Sequence, residues 1–94
     1  MINSILQPPD AEECYICGRQ WGLECHHIYG GVANRKVSEA NKFKVLLCSS
    51  CHRGDRGAQY EKELNLRLKR ECQAKFEETH TREEFRKLIG KSYL

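Results

Sequence analysis

Apolar residues are in short supply in this chain. They make up 39% of its 94 residues, and the mean hydropathy is -0.72, which leaves little material for a core. Domains this small and this polar commonly draw on metals or disulfides for support. No run approaches the length that crosses a bilayer, and the opening stretch from Met1 to Pro9 lacks the apolar segment of a secretory signal. Membrane and secreted classes are therefore set aside, and a cytoplasmic protein is expected. Internal repeats and low-complexity tracts are missing too. Proline is confined to Pro8 and Pro9, which fit neither a helix interior nor a central strand. Residues 1–13 accordingly read as a flexible leader, and residues 14–94 as one domain.

Cysteine is the exception to this scarcity. There are six, and four form two CxxC pairs, Cys14/Cys17 and Cys48/Cys51, with 30 residues between Cys17 and Cys48. A secreted disulfide scaffold could use six cysteines, but paired CxxC spacing is that of one tetrahedral zinc held by four thiolates. A redox CxxC lacks its usual strand-helix setting here. Such an ion would tie the knuckle at Cys14–Gly18 to the segment around Cys48, so its loss should unfold the domain. Trp21 and Leu23 are expected to cover the knuckle as core.

The remaining pattern predicts an α+β domain. Glu24–Tyr29 is the first strand of a hairpin, broken by Gly30-Gly31. Val32–Lys42 is polar, shows no clear periodicity and reads as a loop. Phe43–Leu47 is the second strand. It runs into Cys48–Cys51 at a helix start, where Ser49 or Ser50 can cap free N–H groups. Ala58 to about Glu78 is a long helix, with Tyr60, Leu64, Leu68, Cys72 and Phe76 at every fourth position forming one apolar stripe. Cys72, inside that stripe, reads as a buried thiol and not a zinc ligand. Thr81–Glu84 matches a capping box. The short last helix turns Phe85, Leu88 and Ile89 inward and stops at Gly90. His80, just before the cap, reads as an exposed turn residue without a partner.

The net charge is only +3, yet it is unevenly spread. The first 18 residues carry Asp10, Glu12 and Glu13 and no Lys or Arg; residues 19–70 carry eleven Lys/Arg against five Asp/Glu. Clustered cations suit a phosphate backbone, with Arg35, Lys36, Arg53 and Arg56 as the candidate contacts. No feature reads base edges, so low sequence preference is expected.

Three histidines lie within this basic stretch. The four cysteines saturate one zinc and leave His26, His27 and His52 free. His26 on a strand and His52 at a helix start are expected to share a second, divalent ion. His27 points the other way, as strand neighbours do, and is placed to act as a general base near neutral pH. The ion would stabilise charge on a phosphate and its leaving oxygen.

With Cys14-x-x-Cys17, Glu24-Cys25-His26-His27-Ile28 and Leu46-Leu47-Cys48-x-x-Cys51-His52, the chain resembles the HNH nucleases of the His-Me finger superfamily. His27–Gly31, Asn34–Lys36, Ser38-Glu39, His52–Gly54 and Arg82–Leu94 make it similar, more narrowly, to short phage and prophage HNH proteins linked to recombination. That resemblance implies a small zinc-stabilised ββα-metal core followed by one long and one short C-terminal helix. It also implies a metal-dependent endonuclease hydrolysing DNA phosphodiester bonds. His26 and His52 would bind the catalytic ion, Mg²⁺ or Mn²⁺, and His27 would activate water with its ring oriented by a backbone carbonyl. DNA is the implied partner, with phage or host recombination or packaging proteins beside it, in the host cytosol. Two positions depart from the pattern: Phe43 stands near where many members have asparagine, with Asn41 two residues earlier, and Gln59 stands where close relatives often carry histidine. The competing reading is a non-catalytic zinc module that binds DNA or a protein.

Overall fold

The computed structural model describes residues 2–54, 57 and 61–94. Its elements run β1 (Leu23–His27), α1 (Val32–Asn41), β2 (Lys44–Cys48), α2 (Ser49–Arg53), α3 (Lys62–Phe76) and α4 (Arg82–Ile89). This is the expected α+β arrangement. No helix among the described residues is long and apolar enough to cross a membrane.

The two strands pair antiparallel, with Leu23 opposite Cys48 and His27 opposite Lys44. Side chains alternate across a strand and share a face with their cross-strand partners. One face therefore carries Glu24, His26, Val45 and Leu47, and Val45 and Leu47 are buried in the core. The other carries Cys25, His27, Lys44 and Leu46. The adjacent histidines are thus divided between the two faces.

The segment expected to be a loop, Val32–Lys42, is instead helix α1. Its inward positions are Asn34, Val37, Ser38 and Asn41, which have helical spacing but are mostly polar, so hydropathy shows no stripe. These side chains satisfy backbone groups in place of apolar contact. Buried Ser38 accepts from Tyr29 N–H at 3.2 Å and donates to Tyr29 C=O at 3.0 Å. Asn34 donates to Ile89 C=O at 3.4 Å and Asn41 to Val37 C=O at 2.9 Å. The helix ends as Lys42 enters the left-handed region at φ 65°, with its N–H on Ser38 C=O. Phe43, buried completely, follows at once.

The core gathers around aromatic rings. Tyr29 lies edge-on to Phe43 at 5.5 Å and to Phe85 at 5.4 Å, and Phe43 meets Phe76 at 5.5 Å. The α3 stripe reaches this cluster through Leu68, Cys72 and Phe76, all buried, with half-buried Leu64 packed against it. Cys72 is the expected buried thiol. Tyr60, the first member of the stripe, falls outside the described residues. The expected helix from Ala58 to Glu78 runs only from Lys62 to Phe76 among them, with Glu77 as its C-cap. Helix α4 matches expectation: Thr81 and Glu84 complete a capping box, and Gly90 closes the helix at φ 102°. Ser49 and Ser50 do not cap α2. Its N-cap is Cys48, and no side chain bonds there.

Three further expectations need correcting. Residues 2–13 form no helix or strand, but they lie against the domain and not apart from it. Ile2 and Gln7 are buried, and Gln7 Oε1 accepts from Leu46 N–H at 2.7 Å. Tyr15 N–H donates to Leu46 C=O at 2.8 Å, so leader and knuckle together cover the free edge of β2. Trp21 is not core. It is 71% exposed, with the Arg19 guanidinium over its ring at 5.4 Å, and the chain turns into β1 after it through Gly22 at φ 63°. Tyr15 and Ile16 of the knuckle itself, with Leu23, pack against the core that includes Cys14 and Cys48. His80 is exposed but not unpartnered: it stacks on Phe76 at 4.2 Å and bonds Thr79 Oγ1 at 2.8 Å.

Ser38 supplies a direct check on α1. Ser38→Ala strips the partner from the buried Tyr29 N–H and should cost about 1–3 kcal/mol. It is read as a lower urea midpoint with an unchanged slope. A surface loop serine would change stability by less than about 0.5 kcal/mol.

Candidate metal centre and histidine pair

The knuckle is shaped by its backbone. Gly18 takes φ 79° and donates to Cys14 C=O at 2.9 Å, while Cys14 N–H donates to Arg19 C=O at 2.8 Å. These bonds fold Cys14 and Cys17 onto one side of a tight turn. Ser49 N–H donates to Gly22 C=O at 3.0 Å, which draws the end of β2 and the start of α2 against the same turn. The result is a cluster of Cys14, Cys17, Cys48 and Cys51 whose sulfurs all lie within 4.8 Å of one another.

The cluster fits a metal on two grounds. Four thiolates about 2.3 Å from a tetrahedral zinc lie about 3.8 Å apart, and Cys17 Sγ is 3.6 Å from Cys48 Sγ. The crowding of the thiols is the second ground. Burial pushes the Cys14 thiol up, but N–H groups of Cys17, Cys48 and Ile16 outweigh it and bring it down to about 7. Burial, and then its neighbours Cys48, Cys14 and Cys17, push Cys51 the opposite way. Four thiolates this close repel one another, and a divalent ion among them offsets that repulsion. The four expected ligands are therefore placed to hold an ion such as zinc.

The histidines divide as the strand faces do. His26 and His52 meet edge-to-face with ring centroids 5.1 Å apart. His52 Nδ1 bonds Glu24 Oε1 at 2.7 Å, and Arg53 binds the same carboxylate through Nη2 at 2.7 Å and Nε at 3.1 Å. These bonds hold the Glu24 carboxyl below its ordinary range, His52 contributing most. His26 Nε2 is shielded from solvent and has no hydrogen-bond partner among the described residues. Burial, reinforced by the positive charges of His52, His27 and Lys69, lowers His26 to about 4. Its ring is therefore held neutral, the form in which an imidazole can ligate a metal.

On the opposite face His27 Nε2 lies 2.8 Å from Glu39 Oε2, and Lys44 Nζ lies 2.8 Å from Glu39 Oε1. His27 and Glu39, with Val32, Arg35 and Lys36, line an open cavity of about 530 Å³. Of the candidate phosphate contacts, Arg35 and Lys36 reach this cavity, Arg53 is committed to Glu24, and Arg56 falls outside the described residues, as does Gln59. Asn41 turns its amide back onto its own helix. Sequence reasoning assigned no role to Glu24, Glu39 or Lys44. Glu24 was accessible from the two-residue strand period that places it beside His26, whereas Glu39 required knowing that α1 is a helix.

The thiol cluster predicts one zinc per chain by elemental analysis. Stripping it with a strong chelator should abolish the cooperative melting transition, and Cys48→Ser should do the same, because Cys48 ends a strand as well as lining the cluster. A chelated protein that melts as before would remove the cluster from the folding argument. No protein-family model, curated protein or solved structure matches this chain.

Proposed function

We propose that the chain is a metal-dependent endonuclease of the HNH type that hydrolyses DNA phosphodiester bonds with little sequence preference. The observation that carries this reading is the His26–His52 pair. A shielded Nε2 that finds no partner among the described residues, next to a second imidazole, is costly unless something binds it. Glu24 on His52 Nδ1 is the arrangement that orients a metal-binding histidine, leaving Nε2 as the free donor. On this reading β1, β2 and α2 form a ββα-metal core, with zinc in the thiol cluster.

A divalent ion between the two imidazoles would supply positive charge for the phosphate and its leaving oxygen. Imidazole donors suit Mn²⁺ and later transition ions better than Mg²⁺, which prefers oxygen. His27 takes the proton from the attacking water, and Arg35 and Lys36 hold the phosphate backbone along the neighbouring cavity. His27 is the next residue along β1 from His26, on the opposite face of the sheet.

A second reading has an observation in its favour. Among the described residues the only group of three or more potential ligands close enough to share one ion is the thiol cluster, and His26 and His52 have no third ligand beside them. A zinc-supported module that binds DNA without cutting it would need no more.

Plasmid nicking across Mg²⁺, Mn²⁺, Ni²⁺ and Zn²⁺ separates the two. The nuclease reading expects cleavage strongest in Mn²⁺ or a later ion. His27→Ala should reduce it about 10²- to 10⁴-fold while salt-dependent duplex binding is retained. Binding without cleavage in any metal would leave the DNA-binding module standing.

A further inference from the structure

His27 carries an attachment that its proposed role as general base does not by itself require. Its Nε2 faces the Glu39 carboxylate at 2.8 Å, and that carboxylate is gripped from its other oxygen by Lys44 at 2.8 Å. Lys44 is almost wholly buried and stands directly across the sheet from His27. Helix α1 supplies the acid, and the Ser38 bonds to Tyr29 fix that helix one residue away.

Building on the nuclease reading, we infer that Glu39 is a positioning residue for His27, held in place by Lys44, and that it makes Nδ1 the proton-accepting nitrogen. Lys44 and His27, in that order, keep the Glu39 carboxyl below its usual range. A carboxylate can only accept a hydrogen bond, so the neutral ring must carry its proton on Nε2. The lone pair then resides on Nδ1. The ring is also held from rotating about its side-chain bonds. In this chain the carboxylate does the orienting for which the resemblance implied a backbone carbonyl.

The charge of Glu39 makes this testable. It lies beside Arg35 and Lys36 in the same cavity, so removing it makes that surface more positive. If Glu39 were only a surface charge, Glu39→Ala would bind DNA more tightly and cut it at least as fast. The inference expects the opposite for the chemical step. In single-turnover nicking at saturating protein with Mn²⁺, Glu39→Ala should be slower on the order of 10- to 100-fold. Its duplex affinity should be equal to or tighter than that of the parent. Glu39→Gln, whose amide oxygen still accepts from Nε2–H, should recover much of the rate. A melting curve for each variant confirms that it is folded. A Glu39→Ala protein that cuts at the parent rate, or loses rate only in proportion to lost DNA binding, overturns the inference and leaves the nuclease reading intact. A parent protein that cuts nothing in any metal overturns the nuclease reading, and this inference with it.

Discussion

Four sulfurs within 4.8 Å of one another bring the knuckle together with the β2–α2 junction. The knuckle, the end of β2 and the start of α2 meet there, and short backbone bonds through Gly18, Gly22 and Leu46 only steer them into place. The aromatic core of Tyr29, Phe43, Phe76 and Phe85 serves the rest of the domain, α1, α3 and α4. A chain this polar cannot build a second core around its histidines. An ion held by the four thiolates would take over that task through its ligand bonds and balance their charge.

Everything at the histidines follows from where that clamp sets the two strands. Because β2 is fixed in register, His26 falls on the face that also carries Val45 and Leu47, and α2 brings His52 up to it. His27 falls on the other face, opposite Lys44. Two residues adjacent in sequence thereby acquire unlike surroundings: one a shielded nitrogen with no partner among the described residues, the other a half-buried ring tied to a carboxylate. Burial drives His26 away from protonation, while the ion pair around Glu39 keeps an acceptor facing His27. A one-residue slip of β1 would exchange these environments, so register and chemistry are one constraint.

Much of this was legible in the residues alone, and the parts that were not share a cause. The cysteine spacing, the α3 stripe and the Thr81–Glu84 box each depend on contacts within a few residues or on ligand arithmetic, and the structure agrees with them. Helix α1 was missed because its inward face is built from Asn34, Ser38 and Asn41, polar side chains that bond backbone instead of burying carbon. Trp21 was misplaced because size argues for burial, while the turn at Gly22 and the cation of Arg19 keep the indole at the surface. The pairing of His26 with His52 followed from the clamp. Of the acids that hold His52 and His27, Glu24 follows from the strand period beside His26, whereas Glu39 does not, since it reaches His27 from 12 residues away on α1.

The surplus of cations between residues 19 and 70 is less free than a count suggests. Arg53 is spent on Glu24, Lys44 on Glu39 and Arg67 on Glu71, each within 2.8 Å of a carboxylate oxygen. Two of those three acids are the ones that hold histidines. The local charge therefore does two things: paired cations fix the carboxylates that orient imidazoles, and Arg35 and Lys36 remain exposed along the cavity beside His27. A polyanion drawn to that cavity meets Arg35 and Lys36 beside the proposed base, with the Glu39 charge already taken up by Lys44. A uniformly basic surface would bind the same polymer with no preference for where it lies.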